Sequence, residues 1–234
     1  MREHSASGPR GLGVFLAAMP EKPVPVIPQL VVPDPDAARD QLRRQFGFLD
    51  DGALMRLGNQ TLTLVAGPAT GHGVIDHLAL AVPDLEGAVA PALARGAVPD
   101  PQVTPDGPVD IPEFHAGGVR YLFLQGPSGA RIELIQNIAA PHGPGHDHIG
   151  IPCRDIATMA SFLSGLGATP LISARLLRSD GVTDVRILSL QGSVLELFQP
   201  PVPPQPAPSG LWRCLLVPGI TAATGPDGLQ LSPI

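Results

Sequence analysis

Asp76-His77-Leu78-Ala79-Leu80-Ala81-Val82 and Asp147-His148-Ile149-Gly150-Ile151-Pro152 share one pattern, Asp-His followed by alternating small and aliphatic residues. Some fifty residues after each comes an apolar run interrupted by a glutamate: Ala130-Arg131-Ile132-Glu133-Leu134-Ile135 and Ser193-Val194-Leu195-Glu196-Leu197-Phe198. A charged residue inside an apolar strand is costly unless something neutralises it. The repeated His–Glu pair supplies two imidazoles and two carboxylates, His77, Glu133, His148 and Glu196, enough to hold one divalent metal.

Alternation puts Leu78, Leu80 and Val82 on one face of a strand and His77, Ala79 and Ala81 on the other. His148 likewise shares a face with Gly150 and Pro152. Small neighbours on the histidine face leave room for a pocket, and the large aliphatics face helices.

The repeat extends outward from these strands. A helix is expected over 84–95, with Asp84 as N-cap, followed by a Pro-rich connection over 98–113. Two strands, 118–125 and 130–137, then meet at the turn Gly126-Pro127-Ser128-Gly129. The order recurs from 147, with a helix from Asp155 to Gly165 and strands near 169–178, 183–191 and 193–199. A fainter copy starts at Ile27: a strand, a helix capped by Asp36 and running to Phe46, and strands at 54–57 and 61–65. Gln29 then falls at the histidine position and Thr63 at the glutamate position. A shortened fourth copy ends the chain, with Trp212 at the histidine position and Ser232 at the glutamate position.

The expected division is a tail over 1–23, a degenerate βαββ module over 24–68, full modules over 72–138 and 145–200, and a remnant over 210–234. The Pro-rich stretch 199–209 is a stiff linker before the remnant. The fold class is α+β: repeated βαβββ modules forming curved mixed sheets, or half-barrels, with helices packed outside.

Composition narrows the function. The chain has 234 residues, a net charge of -6 and no long run of either sign, so no nucleic-acid partner and no membrane surface is expected. Aromatic residues are only 4%, so the core is aliphatic. Cys153 and Cys214 read as reduced thiols of a cytoplasmic protein. The apolar run 11–19 is short for a signal-peptide core and lacks a clean cleavage site.

This pattern of a histidine on the first strand and a glutamate on the last resembles the vicinal oxygen chelate superfamily, which includes glyoxalase I, methylmalonyl-CoA epimerase and extradiol dioxygenases. Residues 75–136 look like the second module of glyoxalase I, and 147–198 like its first. The resemblance implies pairing of the two inner modules and of the two outer ones. The inner pair then holds a complete set, and the outer pair, with Gln29, Thr63, Trp212 and Ser232, a lost one. It also implies one Zn, Ni, Co, Mn or Fe(II) ion. The ion would stabilise an enediolate-like intermediate, with Glu133 or Glu196 as general base.

Three functions stay open. The first is an isomerase, lyase or epimerase acting on a small oxygenated substrate. The second is a ring-cleaving Fe(II) dioxygenase, suggested by the order His115, Tyr121, Glu133. The third is a non-catalytic small-molecule binder. Tyr121 also reads simply as a strand residue packing on Phe123, and His142 and His146 as parts of a linker. Cys153 reads as a buried apolar residue. Arg120, Arg131, Arg175, Arg178 and Arg186 are candidates to meet an anionic substrate. The protein is expected to be a monomer or a homodimer.

Overall fold

The computed structural model describes residues 26–68, 71–205 and 210–234, so the 1–23 tail lies outside the described residues. The first copy runs β1 (Ile27–Val32), α1 (Pro35–Gln41), β2 (Leu49–Asp51), β3 (Leu54–Leu57) and β4 (Gln60–Ala66). The second runs β5 (His77–Ala81), α2 (Leu85–Ala94), β6 (Val98–Pro99), β7 (Val109–Ile111), β8 (Val119–Gln125) and β9 (Arg131–Asn137). The third comprises β10 (Gly145–Pro152), α3 (Ile156–Gly165), β11 (Thr169–Arg178), β12 (Gly181–Leu190) and β13 (Ser193–Gln199). Last come β14 (Trp212–Val217), β15 (Ala223–Thr224) and β16 (Gln230–Pro233).

These strands form two open, curved, mixed sheets. One has the order β11-β12-β13-β10-β5-β9-β8-β6, with β7 also paired to β8. The other has the order β15-β16-β14-β1-β4-β3-β2. Both are built alike. In each copy the first strand runs parallel to the last, and the first strands of two copies meet antiparallel at the centre of the sheet. The inner copies therefore share one sheet and the outer copies the other.

Burial follows the alternation. Leu78, Leu80, Ile149 and Ile151 join the large core that runs through both sheets and the helices. Ala79 and Ile135, on the opposite face, join a smaller cluster with Phe114, Val119, Leu176 and Val185.

Helix starts follow local chemistry, with two departures from expectation. Asp155 caps α3 by accepting from the amides of Ala157 and Thr158. The cap of α1 is Asp34, not Asp36; Asp34 accepts from the Asp36 and Ala37 amides, because Pro35 opens the helix one residue after it. Asp84 stands at the N-cap of α2 but makes no side-chain bond there. Instead Gln136 of β9 accepts from the Leu85 amide at 3.0 Å. Gln199 of β13 does the same for Ile156 at 2.9 Å. Each of these glutamines lies three residues after a site glutamate, so one strand places both a site residue and a helix cap.

The turn Gly126–Ala130 recurs at Gly225–Leu229, closed in both by a hydrogen bond from the first amide to the fifth carbonyl. Ser128 and Asp227 hold the same left-handed conformation, φ 57° and 55°.

Strand register corrects the expected positions in the outer copies. Ala79 lies opposite Glu133, as Gln29 lies opposite Thr63. Gln29 therefore corresponds to Ala79, and Ile27 holds the place of His77. Both central pairings carry a one-residue bulge, at Asp147 and at Arg213. Matching the bulges makes Trp212 the counterpart of His146, and Cys214 that of His148. Ser232 lies opposite Leu216 as Glu196 lies opposite Gly150, so Thr63 and Ser232 keep their expected places.

Candidate metal centre

His77 comes from β5, His148 from β10, Glu133 from β9 and Glu196 from β13, on four adjacent strands of one sheet. Their tips converge. His77 Nε2 lies 3.1 Å from His148 Nε2 and 3.2 Å from Glu133 Oε2. His148 Nε2 lies 3.3 Å from both Glu133 Oε2 and Glu196 Oε2. Glu196 stands outside the tight group, its Oε2 3.9 Å from His77 Nε2. Donors about 2.1 Å from a shared ion lie roughly 3.0–3.4 Å apart, so the spacings among His77, Glu133 and His148 suit one cation, with Glu196 as an outlying fourth donor. His77, Glu133 and His148 are all buried and form the tightest group.

The outer face of each imidazole fixes its inner face. His77 Nδ1 lies 3.0 Å from Asp76 Oδ2, and His148 Nδ1 lies 2.7 Å from Asp147 Oδ1. A carboxylate there keeps the proton on Nδ1 and leaves the Nε2 lone pair pointing inward. Two such lone pairs 3.1 Å apart repel one another unless a cation or a proton lies between them. The donor set therefore fits a divalent ion of the N/O-binding type. The role of Asp76 and Asp147 had a sequence signal, the Asp immediately before each His, but nothing in spacing alone assigns it.

Titration without a metal follows the same geometry. Burial opposes protonation of His77, but Asp76 and Glu133 outweigh it and push the pKa up to about 9. His148 is likewise raised well above its ordinary value, with burial outweighed by Glu196, Asp147 and Glu133. Burial works against the Glu133 carboxylate, yet His148 and His77 hold its pKa below the usual range.

Gly150 has its own reason for lacking a side chain. A Cβ there would stand 2.0 Å from His77 Cε1, so the space left by Gly150 is filled by the imidazole and not open to a ligand. The open volume lies beyond, in a cavity of about 600 Å³ lined by all four candidate ligands. His115 and Tyr121 line it too. Tyr121 also packs edge-on against Phe123, with ring centroids 5.8 Å apart. Burial, then Glu133 and Glu196, push its phenol up to about 12.

His146 is no linker residue. It is buried in β10, where Nδ1 lies 2.6 Å from Gln60 Oε1 and Nε2 accepts from the Val194 amide at 2.9 Å. Burial lowers its pKa to about 4, so it is a neutral, fully bonded core residue. His142 lines the cavity, its Nε2 3.9 Å from Asp147 Oδ2.

Of the five arginines, only Arg131 lines the cavity, and it is engaged with Asp76, Asp100 and Gln102. Arg120 pairs with Glu86 and Asp110, Arg175 with Asp184 and Arg178 with Glu113. Cys153 and Cys214 are buried free thiols. Among the described residues no helix is long and apolar enough to cross a membrane.

Solved structures share this architecture. A glyoxalase I mutant from Zea mays matches with a TM-score of 0.66 at 15% identity, over 90% of each chain. The chain has the vicinal oxygen chelate fold. Glyoxalase I from Zea mays, at 18% identity, gives a TM-score of 0.56 over 76% of this chain and 66% of its own. No protein-family model and no curated protein matches the chain. At these identities the vicinal oxygen chelate likeness is one of fold, and the chemistry rests on the side chains above.

Proposed function

We propose that this protein is a metal-dependent enzyme that moves a proton next to an oxygen of a small oxygenated substrate, as an isomerase, lyase or epimerase of glyoxalase type. The observation that carries this reading is the convergence of His77, Glu133 and His148, with Glu196 beside them, in the lining of one cavity. A bound divalent ion would act there as a Lewis acid, making the proton beside a chelated carbonyl easier to remove.

The chain's own residues supply the rest. Asp76 and Asp147 hold the two imidazoles in the binding tautomer. Glu196 is the more exposed carboxylate, its side chain 15% accessible against 6% for Glu133, and it has the looser contact with His77. It is the better placed to leave the centre and take a proton from substrate as general base. Glu133, fully enclosed and facing both histidines, is the anchoring carboxylate.

Solvent-deuterium exchange into a small 2-hydroxyketone, followed by NMR, tests the reaction class. Exchange should require the metal and disappear in Glu196→Gln while metal binding is retained at reduced affinity. Exchange that persists in Glu196→Gln would contradict its role as the base.

A second reading has a specific observation behind it. His115 and Tyr121 face the same cavity as the candidate ligands, as a ring-cleaving Fe(II) dioxygenase would need. Two histidines and one carboxylate suffice for that chemistry, so the fourth donor, Glu196, speaks against it. Oxygen uptake with catechols by the Fe(II)-loaded protein would reverse the preference. A protein that binds a metal and small molecules without turnover would be the non-catalytic binder. We further propose that the protein works in the cytoplasm on a small molecule, as a monomer or homodimer, without a nucleic-acid or membrane partner.

A further inference from the structure

Away from the candidate ligands the cavity lining is largely apolar. Ile111, Phe114 and Val119 line it together with Leu176, Val185 and Ile187 of the β11–β12 hairpin. Its volume, about 600 Å³, lies within the range of small-molecule sites.

Among the described residues, the lining holds no cation free to meet a substrate anion. The one guanidinium present, Arg131, spends Nε on Asp100, Nη1 on Asp76 and Nη2 on Gln102. The described residues contain no lysine at all. His142 already faces a carboxylate, that of Asp147. His115 is disfavoured as a cation by its burial, which lowers its pKa. The centre itself offers no surplus positive charge. Asp76, Glu133, Asp147 and Glu196 together outnumber the charges of Arg131 and one divalent ion. An anionic tail entering here would lose its hydration and find no counter-charge. Neutral hydrogen-bonding groups are present instead: Tyr121, Asn137 and Thr183.

We propose that the cavity selects an uncharged, largely apolar hydroxy-carbonyl or diol compound, and excludes substrates carrying phosphate or carboxylate tails, such as glutathione or coenzyme A conjugates. The two neighbouring oxygens face the metal centre, and the hydrocarbon body lies between the 109–119 segment and the β11–β12 hairpin. This inference rests on the reading of the centre given under Proposed function, and its test does not need the metal.

Two fluorescent probes with nearly the same rings separate the alternatives: neutral N-phenyl-1-naphthylamine and anionic 8-anilinonaphthalene-1-sulfonate. Titrated into the metal-free full chain, the amine should bind at least about tenfold more tightly, the equivalent of roughly 1.4 kcal/mol. Leu176→Arg, which puts a cation in the apolar wall, should remove or reverse that preference. Thr183→Arg is the second variant on the same wall, should the first fail to fold. Sulfonate binding as tight as the amine, no binding of either probe, or a preference untouched by both variants overturns the proposal. Metal content of the same samples reports on the centre separately. One ion per chain with a sulfonate preference sinks the substrate class alone. Retained amine preference without metal binding sinks the metal reading alone.

Discussion

The two sheets follow one plan and differ in what stands at four matching places. In the inner sheet these are His77, Glu133, His148 and Glu196; in the outer sheet they are Ile27, Thr63, Cys214 and Ser232. The difference reaches beyond the ligands. Gly150, which makes room for the His77 ring, is matched by Leu216, a partly buried residue with a full side chain. Asp147, which orients His148, is matched by Arg213 at the same bulge. Cys214, at the His148 place, is a buried thiol whose pKa burial pushes up, and its Sγ faces Gln29 Oε1 at 3.6 Å. A coordination set thus comes with its supports, and the outer sheet lacks both. What the sheets keep in common is structural: His146 and Trp212, at equivalent places, each cross to the other sheet, to Gln60 Oε1 and to the Arg131 carbonyl.

The largest break in this contrast comes from removing a donor. His77→Ala and Glu133→Ala should each lower metal affinity by more than the roughly 10–100-fold typical of losing an outer partner, measured by competition with a chelating dye. Gly150→Ala should come close to the same loss without touching a donor, because the new methyl displaces the His77 ring. Overpacking of this kind also costs about 1–3 kcal/mol of stability in denaturant titration. Asp147→Asn should weaken metal binding about 10–100-fold by removing the carboxylate behind His148. In the outer sheet, Cys214→Ala and Ser232→Ala should leave metal affinity unchanged.

Acid stability sharpens the shared part of the plan. His146 has a folded pKa of about 4, below its unfolded value of 6.5. The folded state therefore binds fewer protons, and the stability tied to His146 is present above pH 6.5 and lost as pH falls toward 4. At about 1.4 kcal/mol per unit the loss is of order 3 kcal/mol. His146→Gln should flatten the pH dependence of unfolding in that window. His77, raised to about 9, works the other way in the metal-free protein, its contribution fading as pH rises from 6.5 through 9.

Much of the inner sheet was legible in the sequence because alternation and repetition are both local signals. The parity that separates His77 from Leu78 is written in neighbouring residues, and the two Asp-His strands advertise each other. The outer copies were harder. Their histidine positions were set by sequence spacing as Gln29 and Trp212, while pairing and the bulge at Arg213 make them Ile27 and Cys214. Register is a property of two strands, and a bulge shifts it by a residue without any mark in composition. His146 was missed for a related reason. Its partners Gln60 and Val194 are 86 and 48 residues away, so its satisfaction appears only once both sheets are assembled. The Asp76–Arg131–Asp100 chain, which takes Arg131 out of substrate binding, is equally invisible along the chain.

Metal stoichiometry tests the central claim most directly. The purified chain is loaded with Co(II), dialysed and analysed by mass spectrometry for metal per protein, beside His77→Ala and Glu196→Ala. One ion per wild-type chain, with its retention lost in His77→Ala and diminished in Glu196→Ala, is the predicted result. A wild-type chain that retains no ion, or variants that hold it as firmly as the wild type, would contradict a shared cation among the four side chains.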